Sequence, residues 1–110
     1  MPKFLNISDV KTTELIKGFH GKFVHAKNFT IAFWEIDEDS ILPEHAHIHE
    51  QTTQVIEGNL ELTIGTETKI LKAGEIAVIP PNVTHSGKAL TNCKVTDTFY
   101  PVREDYKFDN

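Results

Sequence analysis

Short runs of β-branched and aromatic residues, each bounded by turn-forming residues, fill the chain after residue 21 and show no helical period. Pairs such as Gly58-Asn59 and Ala73-Gly74 supply tight connections, because glycine tolerates the positive φ that hairpin turns need. Eight or nine short strands at this spacing predict an all-β sandwich or small barrel. The predicted strands are 22–26, 30–36, a segment ending at His47, 52–58, 60–64, 68–72, 75–80, 85–90 and 93–100.

The length of the chain limits it to one modest core. Its 110 residues, 39% of them hydrophobic, predict a single domain over residues 1–110. The first twenty residues, with Ser8 and Asp9 before VKTTELIKGF, are compatible with a short capped helix or with a loop and one strand. We expect them to lie at the periphery of the domain.

Charge and composition limit the classes of molecule that the chain is expected to bind. Eleven Lys and Arg against sixteen Asp and Glu give a formal net charge of −5, with no basic block, so nucleic acid is not expected. An anionic substrate would need a local positive charge, from a bound cation or a well-placed Arg. The single Cys93, the absence of a signal-like N-terminus and the absence of a long apolar run predict a soluble cytoplasmic protein without membrane contact.

One predicted strand is apolar on both of its faces. In TIAFWEI, Ile31 and Phe33 share one face, while Ala32, Trp34 and Ile36 share the other. Both faces must therefore be covered, and a domain of this size has little of its own to cover the second. We expect a second copy of the chain to cover it, which predicts a homodimer.

The segment PEHAHIHEQ contains several possible metal ligands. His45 and His47 are two residues apart, which places both rings on one face of a strand, and strict alternation would add His49 and Gln51. Ligands of one metal lie within a few ångströms of each other, so the chain must turn between His47 and Gln51. A more distant ligand is offered by His85, the only later histidine.

A second candidate site lies near the C-terminus, in CKVTDTFYPVREDY. The two-residue period of a strand places Asp97 and Phe99 on the same inward face as Cys93 and Val95. Burying an ionised carboxylate is costly unless it is paired or hydrogen-bonded, so a carboxylate at such a position has either a structural partner or a catalytic role. Either Asp97 forms a structural salt bridge with Arg103, or it lines a cavity beside the metal as a general acid or base, with Arg103 binding a substrate carboxylate.

Two segments resemble the motifs of the cupin family. HAHIHEQTTQVIEG is similar to the first motif, within residues 39–58, and GEIAVIPPNVTH to the second, within residues 74–89. Asp39 and Asn82 stand where the motifs have glycine, and Gln51 replaces the usual glutamate. The resemblance implies a single-domain cupin, a jelly-roll barrel or double-stranded β-helix. It also implies one divalent transition metal, Ni, Zn, Mn or Fe, held by four side chains: His45, His47, Gln51 and His85. His49 is the alternative to Gln51.

From Trp34 to Tyr106 the chain resembles one cupin subgroup, the pectin-degradation proteins of the KdgF type. The clearest blocks are PEHAHIHEQ, VIEGNLELTIGTET, IPPNVTHSGKAL and CKVTDTFYPVREDY. The resemblance implies metal-dependent ring opening of 4,5-unsaturated monouronates, released from pectin or alginate, to 5-keto-4-deoxyuronate. It gives Asp97 the role of proton donor or relay, Arg103 that of orienting the carboxylate, and Phe99 that of shaping the sugar pocket.

Two other functions fit the same residues. One is a metal-dependent dioxygenase or isomerase acting on another small anion, because the cupin fold serves many chemistries. The other is a cupin that binds a small molecule without catalysis, in which Asp97 would be inert.

Overall fold

The computed structural model describes residues 2–108, so residue 1 and residues 109–110 of the predicted domain lie outside it. Over this range the chain forms ten strands and two short 3-10 helices, at Ile7–Asp9 and Glu104–Tyr106. None of the helices in residues 2–108 has the length and hydrophobicity needed to cross a membrane. The strands are β1 (Thr13–Ile16), β2 (Phe19–His25), β3 (Thr30–Ile36), β4 (Ile41–His45), β5 (Glu50–Glu57), β6 (Leu60–Ile64), β7 (Glu67–Leu71), β8 (Ile76–Ile79), β9 (His85–Ala89) and β10 (Cys93–Tyr100).

Two antiparallel sheets enclose the core. One has six strands in the order β1-β2-β3-β10-β5-β8, and the other has four in the order β4-β9-β6-β7. Alternation along the strands turns one row of apolar side chains from each sheet toward the other sheet. The all-β jelly-roll barrel expected from the sequence is confirmed. The largest buried apolar side chains are Phe19, Trp34, Ile36, Val55, Leu60, Leu62, Leu71, Ile79, Val95 and Phe99.

The strand boundaries agree with the sequence-based prediction in most places. The ranges 30–36, 60–64 and 93–100 are reproduced to the residue, and the buried face of β10 carries Asp97 and Phe99 as expected. The prediction was wrong for β4, which ends at His45 instead of His47, and β5 begins at Glu50. The predicted count of eight or nine strands was also low by at least one: β1 lies in the first twenty residues, where the sequence allowed either a short helix or a loop with one strand.

Both departures from the cupin glycine pattern occupy a backbone conformation that favours glycine. Asp39 has φ 70° and Asn82 has φ 64°. Asp and Asn are the residues other than glycine that most readily visit this left-handed region. The Asn82 N–H also donates to the His47 carbonyl oxygen at 2.8 Å, which ties the turn of the second motif to the first. The replacements therefore preserve the backbone that the motif glycines provide.

The outward face of the six-stranded sheet carries a row of residues without charge. The strand register places Val24 beside Ile31, Ile31 beside Thr98, Thr98 beside Thr52 and Thr52 beside Val78. The neighbouring row, Lys22, Phe33, Thr96, Gln54 and Ile76, contains a single charge. Ile76 and Val78 are more than half exposed. A sheet face of this composition is suited to burial against another protein surface.

The expected homodimer remains a prediction, and this face is where we expect it to form. The wild-type chain should sediment at micromolar concentration as a species of about twice its 12.4 kDa mass. Thr98→Glu, at the centre of the uncharged row, should shift it toward monomer because a buried unpaired charge opposes association. Thr68→Glu, on the exposed β7 of the other sheet, is the matched control. A monomeric wild type would contradict the prediction.

Gly58 and Gly74 have nearly identical backbone conformations but different surroundings. Replacing each by alanine therefore distinguishes the cost of backbone strain from the cost of a steric clash. Gly58 has φ 90° and Gly74 has φ 89°. A Cβ at Gly74 would meet nothing, whereas one at Gly58 would collide with the carbonyl oxygen of Asn92. Gly74→Ala should therefore lower the free energy of unfolding by about 1 kcal/mol, the cost of left-handed backbone. Gly58→Ala should cost about 1–3 kcal/mol more because of the collision.

The measurement for this glycine pair is urea unfolding of the two variants beside the wild type. Equal destabilisation by both substitutions would show that the contact with Asn92 adds nothing to the cost of the turn.

Candidate metal centre and acidic pocket

Three histidines converge at one end of the barrel. Pairing of β4 with β9 places His45 directly opposite His85, and the turn over residues 46–49 brings His47 beside them. The ring centroids are 4.2 Å apart for His45 and His85, 5.0 Å for His47 and His85, and 5.7 Å for His45 and His47. One nitrogen from each ring lies within 4.8 Å of the others, so the three side chains can hold a metal ion.

Backbone carbonyls fix the tautomer of all three histidines. The Nδ1 atoms of His45, His47 and His85 contact the carbonyl oxygens of Pro43, His49 and Val83 at 2.8, 3.1 and 3.0 Å. A carbonyl oxygen only accepts hydrogen bonds, so each Nδ1 carries the proton and each Nε2 presents a lone pair. This is the arrangement by which proteins orient metal-binding imidazoles.

Gln51 contributes a further electron-rich atom to the same place. Its Oε1 lies 3.0 Å from Nε2 of His47, and its Nε2 donates to Thr53 Oγ1 at 2.9 Å, which fixes the orientation of the amide. Burial, with smaller contributions from Arg103 and His85, lowers the pKa of His47 to about 4, so the ring is neutral at pH 7. An imidazole lone pair and an amide oxygen this close fit two ligands of one shared cation.

The remaining atoms of the cluster fit the same interpretation. Nε2 of His85 is buried and has no hydrogen-bond partner within residues 2–108, and burial also lowers the pKa of His85. Neutral imidazoles with an amide oxygen suit divalent transition metals. His49 does not belong to the three-histidine group: its ring centre lies 5.3 Å from that of His47 and 6.4 Å from that of Phe99.

Asp97 lies deeper between the sheets, on the central strand β10. Its register places it opposite Ala32 on one side and Thr53 on the other, and the Trp34 Nε1–H donates to Oδ2 at 3.0 Å. Oδ1 is buried and has no hydrogen-bond partner of regular geometry in the described chain. Burial raises the pKa of Asp97 to about 6, although Thr53, Trp34 and Gln51 act in the opposite direction. The carboxyl group is therefore able to give or take a proton near neutral pH.

Arg103 makes its ion pair with Asp105 and not with Asp97. The Asp105 carboxylate accepts from Nε at 2.9 Å and from Nη2 at 2.7 Å. The guanidinium carbon lies 3.9 Å from the ring centre of Tyr106 and 4.7 Å from that of Phe99. The salt bridge between Asp97 and Arg103, one of the two expectations from the sequence, is wrong because Asp105 is two residues from Arg103 and already satisfies the fork.

A single cavity joins these groups. His45, Gln51, His85, Asp97, Phe99 and Arg103 all line it, and most of its other lining residues are apolar. The cavity brings together a possible metal centre, a carboxyl group with a raised pKa and a guanidinium group. Together they can bind an anion and move a proton beside it.

Sequence reasoning missed four residues that support this site. Trp34 had been assigned only to the core, and Thr53 had no role. Asp105 and Tyr106 lay beyond the last predicted strand. The sequence contained one indication of the ion pair between Arg103 and Asp105, namely that a carboxylate lies close to Arg103 in the chain. The adjacent Glu104 meets the same condition, so the partner could not be chosen.

Comparisons with known proteins agree with this description. Residues 32–99 match the Cupin domain family. A cupin resembling RmlC from Shewanella frigidimarina superimposes with a TM-score of 0.91 at 25% identity, covering 97% of each chain. KdgF from a Halomonas species gives a TM-score of 0.91 at 24% identity, covering 97% of this chain and 100% of that one. Bacillus subtilis oxalate decarboxylase gives 0.78 at 19% identity, covering 88% of this chain and 29% of that one.

Fold and site define a jelly-roll β-barrel with a histidine cluster able to hold a metal at one end. The family match extends over more than half of the chain, and the chain belongs to the cupin family. No protein with a curated description matches the sequence. Among the structural neighbours, one study of Bacillus subtilis oxalate decarboxylase describes Mn(II) centres in that enzyme.

The histidine geometry predicts one divalent metal ion per chain. Protein purified without a chelating resin should contain close to one equivalent by elemental analysis. His85→Ala should lower the affinity by more than about a hundredfold, since losing a ligand costs more than losing an outer hydrogen bond to one. His49→Ala should keep the wild-type stoichiometry. Loss of metal from both variants alike would contradict the separation of His49 from the cluster.

Proposed function

We propose that this protein opens the ring of 4,5-unsaturated monouronates derived from pectin or alginate and yields the linear 5-keto-4-deoxyuronate. The observation that carries the proposal is the position of Asp97, a buried carboxyl group whose pKa is raised to about 6, in the same cavity as the histidine cluster and Arg103. The similarity to KdgF in fold and in the DTFYPVR segment supports the choice of substrate.

The substrate is a small anion, and the cavity offers two positive groups for it. The metal, held by His45, His47, Gln51 and His85, would act as a Lewis acid toward the carboxylate and a ring oxygen. Arg103, 7% exposed, lines the cavity and would pair with the carboxylate through its guanidinium group. Phe99 lines the same cavity and would pack against the sugar ring. Fixing the ring in this way lowers the entropic cost of the reaction.

The reaction needs a proton at C4 and no redox partner. Opening of the cyclic hemiacetal breaks the bond between C1 and the ring oxygen and leaves an aldehyde at C1. The C4–C5 enol then becomes a ketone at C5 when C4 gains a proton. The anomeric hydroxyl loses one proton and C4 gains one, so the step is a balanced isomerisation. Asp97, protonated in part near neutral pH, gives the proton to C4 from its unpartnered Oδ1 and is reprotonated in turn.

Replacement of Asp97 tests this role. Asp97→Asn preserves the shape of the side chain and removes its acid function, so kcat should fall by roughly 10²–10⁴-fold, the usual contribution of a general acid. The measurement is the loss of enol ultraviolet absorbance with metal-loaded protein and an unsaturated monouronate. Elemental analysis of the variant checks that metal is still bound.

Glu50→Gln is the matched control, because Glu50 is exposed and directed away from the cavity on the strand that carries Gln51. It should keep wild-type activity. If wild-type protein leaves the uncatalysed rate unchanged, ring opening is ruled out, and oxygen consumption with the bound metal then distinguishes dioxygenase chemistry from binding without catalysis. If Asp97→Asn retains full activity, another group supplies the proton.

A further inference from the structure

The guanidinium group of Arg103 is held by contacts with Asp105 and Tyr106 of the C-terminal segment and with Phe99 of β10. Asp105 occupies Nε and Nη2, while the rings of Tyr106 and Phe99 lie against the guanidinium carbon. Nη1 is thus the nitrogen that Asp105 leaves for another partner. Arginine side chains usually lose considerable rotamer freedom when they bind a ligand. In Arg103 the contacts with Asp105, Tyr106 and Phe99 already restrict the side-chain rotamers without a ligand.

The segment that supplies these contacts is itself fastened to the sheet. The Arg103 backbone N–H donates to the hydroxyl oxygen of Thr30, which is fully buried, at 2.9 Å. The same hydroxyl contacts His25 Nδ1 at 2.9 Å, and Nε2 of His25 contacts the Tyr106 carbonyl oxygen at 3.1 Å. The proton placement that satisfies this chain has Thr30 donating to His25 and His25 donating to Tyr106. Residues 103–106 therefore sit at a fixed place over the cavity.

We propose that Asp105 is a positioning residue, which fixes the Arg103 fork so that Nη1 faces the cavity and receives the substrate carboxylate. The inference rests on the proposed function, in which Arg103 binds that carboxylate. The ion pair has 2.7 and 2.9 Å contacts and sets the rotation of the guanidinium plane, while the Tyr106 ring packs against its face at 3.9 Å. Asp105 does not line the cavity, so it acts on the substrate only through Arg103.

The matched pair of variants is Asp105→Asn and Glu104→Gln. Both remove one carboxylate charge from the same 3-10 turn, but Glu104 pairs with Lys107 at 3.0 Å and not with Arg103. Asp105→Asn should raise KM for the unsaturated monouronate by about tenfold, the effect of losing a hydrogen bond to a charged group, with kcat changed less than about threefold. Glu104→Gln should leave both constants at wild-type values.

Coupling to Arg103 separates positioning from a general structural role. In an Arg103→Lys background, Asp105→Asn should have little further effect on kcat/KM, because the fork that it orients is already absent. Asp105→Glu should recover part of the lost affinity, since it restores a carboxylate at the same position. Equal losses from Asp105→Asn and Glu104→Gln, or full additivity with Arg103→Lys, would overturn the proposal.

A second measurement does not depend on the reaction. In zinc-loaded protein, which is diamagnetic, the Arg103 Nε–H should give a proton–nitrogen NMR signal protected from solvent exchange. The signal should persist in Glu104→Gln and disappear in Asp105→Asn. If the wild type fails to open the uronate, the proposed function alone fails. A protected Nε–H signal that survives Asp105→Asn overturns the positioning of Arg103 whatever the activity.

Discussion

The structure depends on the meeting of electron-rich atoms between the two sheets. Three imidazoles are fixed by backbone carbonyls with their Nε2 lone pairs directed to one place, and the amide oxygen of Gln51 joins them at 3.0 Å from His47. Acceptors this close repel one another unless a cation lies among them, and the turn at 46–49 and the pairing of β4 with β9 hold them together. A cation bound there would offset this repulsion, so we expect metal binding and stability to be linked.

Much of this arrangement was predictable because it follows local rules. The two-residue period of a strand is short range, so TIAFWEI and CKVTDTFY could be assigned to faces without knowing their neighbours. The inward direction of Asp97 followed from the same rule. Once β10 lies between β3 and β5, the register also places Thr53 opposite Asp97 and Gln51 opposite Phe99. These cross-strand neighbours could not be predicted from the sequence of one strand, because they depend on how distant segments pair.

The errors share this origin. The end of β4 was placed at His47 because alternation in HAHIH continues past the point where pairing with β9 stops at His85. The salt bridge between Asp97 and Arg103 was one of two alternatives, offered because an inward carboxylate is costly without a partner. In the structure, burial of the Asp97 carboxyl group raises its pKa instead, and Trp34 donates one hydrogen bond to it. Asp39 and Asn82 looked like losses of motif glycines until their positive φ values showed that the backbone is retained.

Under the proposed function, a chain of net charge −5 has to select an anion. Its overall field repels one, so attraction must arise at short range, where solvent screening is weak. Arg103 alone would be a mobile charge, and its pairing with Asp105 reduces its field at a distance. What remains close to the guanidinium group is a hydrogen-bond donor of fixed direction beside a metal site. Such a pair favours a ligand whose carboxylate meets the guanidinium N–H and the metal together. Other anions bind less well, because the hydrogen bond depends on direction whereas simple charge attraction does not.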